Sequence, residues 1–350
     1  MTRVDTKTWD FRNINAHLPA NDDIEEIKRI YQQGGLIALP TETVYGLGGN
    51  AKNDEAVKAI YEAKGRPSDN PLIVHIHSMS QLADFTQNIS AETLTLMRHF
   101  WPGPISFIVP LKPGYLCDRV SGGLSSIAVR MPSHKVGRYI LQQVDLPIAA
   151  PSANLSGRPS PTLFEHVYQD LNGRVDGIIN GDQSEEGLES TVLDCTVFPF
   201  RIARPGAITK QMIEEVIPNS VDAVTDYNSD KPIAPGMKYK HYAPDTPLTI
   251  IRNFNKVPTT LSEWHNVAFI VPDNKKHLVP KKAQFISLCS DTNDLKEANH
   301  NLYSILHRLD NDTNINHAYI YGFNDSEQSN AYMNRLMKAA NQQEIEGDDL

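Results

Sequence analysis

Cysteine is scarce in this sequence: three residues, at positions 117, 195 and 289, with no CxxC pair and no cysteine–histidine spacing. That pattern excludes a disulfide framework and a structural zinc site and predicts a reducing, cytoplasmic setting. Long hydrophobic runs are missing as well. No stretch approaches the roughly 20 apolar residues of a membrane span, and Met1–Phe11 mixes acidic and basic residues without an apolar centre, so neither a span nor a secretory signal is expected. A net charge of −9 excludes a surface coated in positive charge for nucleic acid, although a local basic cleft that contacts RNA stays open. Two catalytic signatures are absent too, the G-x-x-x-x-G-K-[ST] phosphate loop and the G-x-S-x-G elbow, and Cys195 sits in an apolar strand-like run. Walker-type nucleotide binding and covalent nucleophilic catalysis are therefore not expected.

What is present is an ordinary globular composition, 40% hydrophobic and 21% charged over 350 residues, a length that favours two domains. The first is predicted over 1–218, a linker or lid over 219–244, and a small α/β domain over 245–350. Ile24, Ile27, Ile30 and Tyr31 mark a helix over Asp22–Gln33 that stops at Gly34-Gly35 and feeds the strand Leu36–Leu39. A helix capped by Asn53 or Asp54 runs to Gly65. Strands are predicted at Pro71–Ile76, Ile105–Val109, Ile127–Met131, Pro147–Ala150, Asp176–Asn180, Thr191–Asp194 and Phe200–Ala203. Between them fall helices capped by Ser90, started by Ser133, opened by a Thr162/Glu165 capping box and capped by Thr209. Beyond the linker, strands Leu248–Ile251, Val267–Val271, Phe285–Leu288 and Ala318–Tyr321 alternate with helices near 293–309 and 329–340. The last ten residues read as frayed.

The densest chemistry lies in Pro40-Thr41-Glu42-Thr43-Val44-Tyr45-Gly46, Lys64-Gly65-Arg66-Pro67-Ser68-Asp69-Asn70-Pro71, and His75 with His77. Three further segments repeat this mix of hydroxyls and cations at strand ends: Ser125–Arg130, Ala150–Ser160 and Arg201–Gly206. Such ends are where open α/β sheets place ligands, here an anionic small molecule. Gly46–Ala51 fits a loose G-x-G-x-x-A pattern, but Thr41–Tyr45 separate it from the preceding strand and no acidic strand end follows, which argues against a nicotinamide fold. Lys64 and Arg66 taken alone are ordinary turn cations; beside Thr41, Thr43 and Asn70-Pro71 they read as a phosphate site. His75 and His77 share a strand face, yet no third metal ligand is evident, so a satisfied, half-buried histidine is the default. Arg130 ends an apolar strand and needs an anion there, either a structural carboxylate or, as favoured, a substrate carboxylate.

Six motifs in register over roughly residues 20–245 resemble the YrdC-type fold, and the whole arrangement resembles the two-domain threonylcarbamoyl-AMP synthases. The resemblance implies a twisted mixed sheet with flanking helices and a central cleft, followed by a smaller Rossmann-like α/β domain. It implies synthesis of threonylcarbamoyl-AMP from L-threonine, bicarbonate or CO₂, and ATP, with release of pyrophosphate. The product would pass to a downstream transferase that makes N6-threonylcarbamoyladenosine in tRNA. Carried over by motif, Lys64 and Arg66 are catalytic, and Arg66, Asn70, Ser126, Ser152, Asn154, Ser160 and Arg204 contact ATP. Tyr239, in the lid candidate Pro235–Pro244, joins them. Thr43, His75, Arg130, Ala150 and Ser190 hold threonine. No protein metal ligand is expected; Mg²⁺ would travel with the ATP phosphates. The alternative is a double-stranded RNA-binding or ribosome-assembly protein using the same cleft.

Overall fold

The alternating apolar runs assemble into two sheets in two compact units, Met1–Ser156 with Ser160–Tyr239, and Gly157–Pro159 with Lys240–Leu350. The computed structural model describes residues 2–223, 241–259 and 264–350. Most of the lid candidate, including Tyr239, lies outside the described residues. No described helix is long and apolar enough to cross a membrane.

The first unit carries strands β1 (Lys7–Asp10), β2 (Ile37–Leu39), β3 (Gly46–Asn50), β4 (Ile73–His75), β5 (Ile105–Pro110), β6 (Ser126–Arg130), β7 (Ile148–Ala149), β8 (Gly177–Asn180), β9 (Thr191–Asp194) and β10 (Arg201–Arg204). Its helices are α1 (Asn21–Gln32), α2 (Asp54–Lys64), α3 (Leu82–Phe85), α4 (Ala91–Phe100), α5 (Lys135–Val144), α6 (Phe164–Leu171) and α7 (Lys210–Val216). The strands form one mixed sheet in the order β1-β8-β2-β3-β7-β4-β6-β5-β9-β10. Alternation along β2 divides the core. Ala38 faces a cluster with Val57, Ile60, Leu96 and Val167, while Ile37 and Leu39 face one with Ile27, Tyr31, Val136 and Ile140.

Local signals place most boundaries. Asn53 Oδ1 accepts the Ala56 N–H at the start of α2, and Gly65 closes that helix at φ 64°. Thr209 caps α7 in the same way. Three boundaries differ from the sequence reading. The helix expected from Ser133 begins at Lys135, with the His134 ring accepting from Val136 and Gly137 N–H, because Ser133 is bonded to Glu42 instead. At α6 the cap is Leu163, and His166 Nδ1 accepts the Thr162 and Leu163 N–H groups, displacing the expected Thr162/Glu165 box. The glycine-rich run Gly46–Asn50 is a strand, antiparallel to both β2 and β7, so it wraps no dinucleotide.

The second unit forms an all-parallel sheet from β11 (Leu248–Arg252), β12 (Val267–Val271), β13 (Gln284–Ser287), β14 (His317–Tyr321) and β15 (Glu344–Glu346), ordered β13-β12-β14-β11-β15, with α8 (Leu295–Asn311) and α9 (Asn330–Ala339). The C-terminus is not frayed. Ile345 pairs in register with Ile251, and Leu350 is buried in the cluster of Phe254, Trp264 and Phe269. Within this unit Tyr242 is buried, adopts φ 64° and lies 5.6 Å from the Tyr303 ring.

Glycine at 48 is a steric requirement. A Cβ there would sit 2.8 Å from the Tyr31 hydroxyl and 2.9 Å from Ile148 Cγ2. Gly48→Ala is expected to destabilise the first unit by about 1–3 kcal/mol through overpacking, read as a lower midpoint in urea unfolding followed by circular dichroism; an unchanged midpoint would refute the packing.

Candidate active site

A polar row crosses the middle of the first sheet. His75 on β4 is the register partner of Arg130 on the parallel strand β6, and Ser106 on the antiparallel strand β5 is opposite Arg130 on its other side. Register partners share a face, so three buried polar side chains stand side by side. Ser106 Oγ lies 2.7 Å from Ser190 Oγ, and Arg204 donates to Ser190 from Nε to the carbonyl (3.0 Å) and from Nη2 to the hydroxyl (3.2 Å). The row thereby extends to β10.

Arg130 meets a protein carboxylate. Its Nη2 forms an ion pair with Glu42, Nη1 donates to Thr43 Oγ1 at 2.6 Å, and Nε donates to the Gly103 carbonyl at 3.4 Å. Glu42 in turn accepts from both the backbone N–H and the hydroxyl of Ser133. Burial and the nearby Arg204 guanidinium push the Arg130 pKa down, and the Glu186 charge opposes them. Glu42 is thus a structural carboxylate on Arg130, one of the two partners the sequence left open.

Lys64 and Arg66 are not solvated turn cations. Both are buried. Lys64 Nζ donates to the carbonyls of Ser152 (2.5 Å) and Asn154 (2.7 Å), fixing the Ser152–Asn154 turn to the end of α2. Burial, then the Arg66 charge, drive the Lys64 pKa well below its ordinary value. Arg66 Nη2 donates to the Pro71 carbonyl at 3.2 Å and lines a cavity of ≈ 330 Å³ with Lys58, Tyr61 and Arg119. Tyr61 hydroxyl holds the Asn70 carbonyl at 2.7 Å, while the buried Asn70 Oδ1 has no hydrogen-bond partner among the described residues. Ser160 Oγ donates to the buried carboxylate of Glu189.

Two models of known families match the chain: one described as telomere recombination, covering Sua5, YciO and YrdC, over residues 29–206, and one for the C-terminal domain of threonylcarbamoyl-AMP synthase over 208–341. The threonylcarbamoyl-AMP synthase of Bacillus subtilis is 44% identical over 96% of this chain and 98% of its own length. The chain belongs to the two-domain threonylcarbamoyl-AMP synthase family. A second synthase, from Pyrococcus abyssi, is 40% identical over 88% of this chain and 91% of its own. The crystal structure of P. abyssi Sua5 complexed with L-threonine superimposes with a TM-score of 0.85 and 34% identity, covering 97% of this chain and 99% of that one. The expected fold, a mixed sheet followed by a smaller α/β domain, is that of the synthase family.

Among the residues expected to serve the synthase site, the structure brings Thr43, Arg130, Ser190, Arg204 and His75 into the polar row, and Lys64 onto Ser152 and Asn154. Ala150 borders the row through its N–H, which donates to Ile73 O at 3.1 Å. Ser126 opens β6, four residues before Arg130. Sequence reasoning missed Glu42, Ser106, Ser133 and Glu189. Glu42 was findable: a carboxylate inside the apolar run ending at Tyr45 needs a buried cation, as Arg130 needed an anion.

His75 Nδ1 lies 3.1 Å from the Ile73 carbonyl, which can only accept, so Nδ1 bears the proton. Burial lowers the His75 pKa from 6.5 to about 4, leaving the ring neutral at pH 7. Between those values the unfolded chain binds the extra proton, so stability falls as pH drops, by up to about 3 kcal/mol. Thermal unfolding should show the melting temperature declining from pH 7 to pH 4.5, and declining less in His75→Gln; parallel profiles would refute the assignment. Lys64→Met should lose about 2 kcal/mol by leaving two carbonyls without their donor, with unfolding by urea as the check.

Proposed function

We propose that the polar row and the Lys64-bound turn together activate threonine with ATP: the threonine amine adds to CO₂ with loss of a proton, or to bicarbonate with loss of water, and the carbamate oxygen attacks the α-phosphorus. A P–O bond to the carbamate forms, the bond to the β-phosphate oxygen breaks, and pyrophosphate leaves. The observation that carries this reading is the set of four buried cations in the first unit, Lys64, Arg66, Arg130 and Arg204, in a chain of net charge −9. Full-length similarity to a relative solved with L-threonine supports the choice of amino acid.

In this reading Thr43, His75, Arg130, Ala150 and Ser190 surround threonine. Arg66, Asn70, Ser126, Ser152, Asn154, Ser160 and Arg204 serve ATP, and Asn70 Oδ1 accepts an N–H from the nucleotide. Lys64 acts by holding the Ser152–Asn154 turn through its two carbonyl bonds. Juxtaposing the reactants and neutralising charge on the departing pyrophosphate account for the acceleration, without a covalent enzyme intermediate. Mg²⁺ rides on the phosphates. The adenylate passes to a transferase that modifies tRNA. A duplex-RNA reading is disfavoured because these four side-chain cations are buried, whereas a duplex backbone is met by exposed ones.

Pyrophosphate release from ATP should require both threonine and bicarbonate, with serine weaker by about 1–3 kcal/mol in specificity for want of the methyl group. Equal turnover with leucine or alanine would refute it. Arg66→Ala should cut turnover about 100-fold or more, as loss of a charge-stabilising donor does; near-normal release would remove Arg66 from the site.

A further inference from the structure

The hydrogen bonds around Thr43 fix which way its hydroxyl can act. Thr41 Oγ1 donates its only proton to the Val44 carbonyl at 2.6 Å. In the 2.9 Å contact between the two threonines, Thr43 must therefore be the donor. Arg130 Nη1, which can only donate, occupies one lone pair of Thr43 Oγ1 at 2.6 Å. The hydroxyl of Thr43 has thus used its proton and one lone pair, and can offer a ligand only the remaining lone pair. Thr41 fixes the proton, and Arg130 fixes which lone pair is left.

Glu42 does the aiming. Its carboxylate is buried, pairs with Nη2 of the same guanidinium, and is itself clamped by the Ser133 N–H and hydroxyl. The amino-acid substrate offers a hydroxyl hydrogen to match an acceptor. We propose that Glu42 is a positioning residue for threonine selection: by locking Arg130 onto one lone pair of Thr43 Oγ1 it aims the other, which receives the β-hydroxyl hydrogen of the substrate. The inference rests on the threonine-activating function proposed above.

L-2-Aminobutyrate keeps the shape of threonine without the hydroxyl, so the ratio of kcat/KM for threonine over 2-aminobutyrate in pyrophosphate release reads this one bond. Thr43→Val should lower the ratio about tenfold, the loss of roughly one well-made hydrogen bond. Glu42→Gln should lower it about fivefold or more while leaving the KM for ATP within about twofold, because only the amino-acid side is misaligned. Removing the carboxylate leaves a buried guanidinium unpaired and can unfold the chain. Thr41→Val is the second variant: it keeps the ion pair, frees the Thr43 proton to point at the ligand, and should also depress the ratio. A folded Glu42→Gln or Thr41→Val chain with an unchanged ratio overturns the proposal while the threonine-activating function stands. A wild-type chain that releases no pyrophosphate with threonine overturns that function and this inference together.

Discussion

A guanidinium buried at the centre of a ten-stranded sheet is tolerable only if every face of it is bonded, and the site is organised around satisfying Arg130. Glu42 provides the charge, Thr43 and Gly103 each take one further N–H, and Ser133 anchors Glu42. Counting Arg130 itself, four separate segments of chain meet here. The segment before β3, the turn before β5, the end of β6 and the start of α5 are drawn to one point. Removing either charge would strand the other in the core, at a cost of about 3–5 kcal/mol. The pair is thus a structural necessity and a means of orienting the hydroxyls beside it.

Lys64 applies the same logic at the Ser152–Asn154 turn. A buried ammonium bonded to two carbonyls is a poor point charge for attracting phosphate but a strong brace for a turn, and the turn it braces carries Ser152 and Asn154. Arg66, one residue beyond the αL glycine that ends α2, points elsewhere, to Pro71 and the adjoining cavity. Two cations separated by a single residue therefore serve different tasks. The helix terminus explains why: Gly65 reverses the backbone between them.

Much of this was legible in the amino-acid order. Apolar periodicity, Asn53, Ser90 and Thr209 as caps, and Gly65 as a stop located the helices within a residue or two. Reading failed where a long-range contact outbid a local preference. Ser133 is a good cap by composition, but Glu42 claims its hydroxyl from 91 residues away. Gly46–Asn50 has low strand propensity and forms a strand because Tyr31, Leu39, Ile148 and Ile60 crowd the positions where side chains would stand. The polar C-terminal segment is ordered because β11 has an edge to pair and Leu350 has an apolar cluster to enter.

By itself the sequence determined the α/β class, the succession of elements, the motifs that place the chain among the threonylcarbamoyl-AMP synthases, and the set of residue types from which a site is built, since all of these depend on neighbours a few residues apart or on motif order. Tertiary structure alone decided that Arg130 is answered by Glu42, that Lys64 braces a turn, that Ser106 joins His75 and Arg130 in one row, and that Thr43 offers a lone pair. Each of those facts is a matter of which distant groups share a buried space, and of how many protons and lone pairs remain once they have bonded to one another.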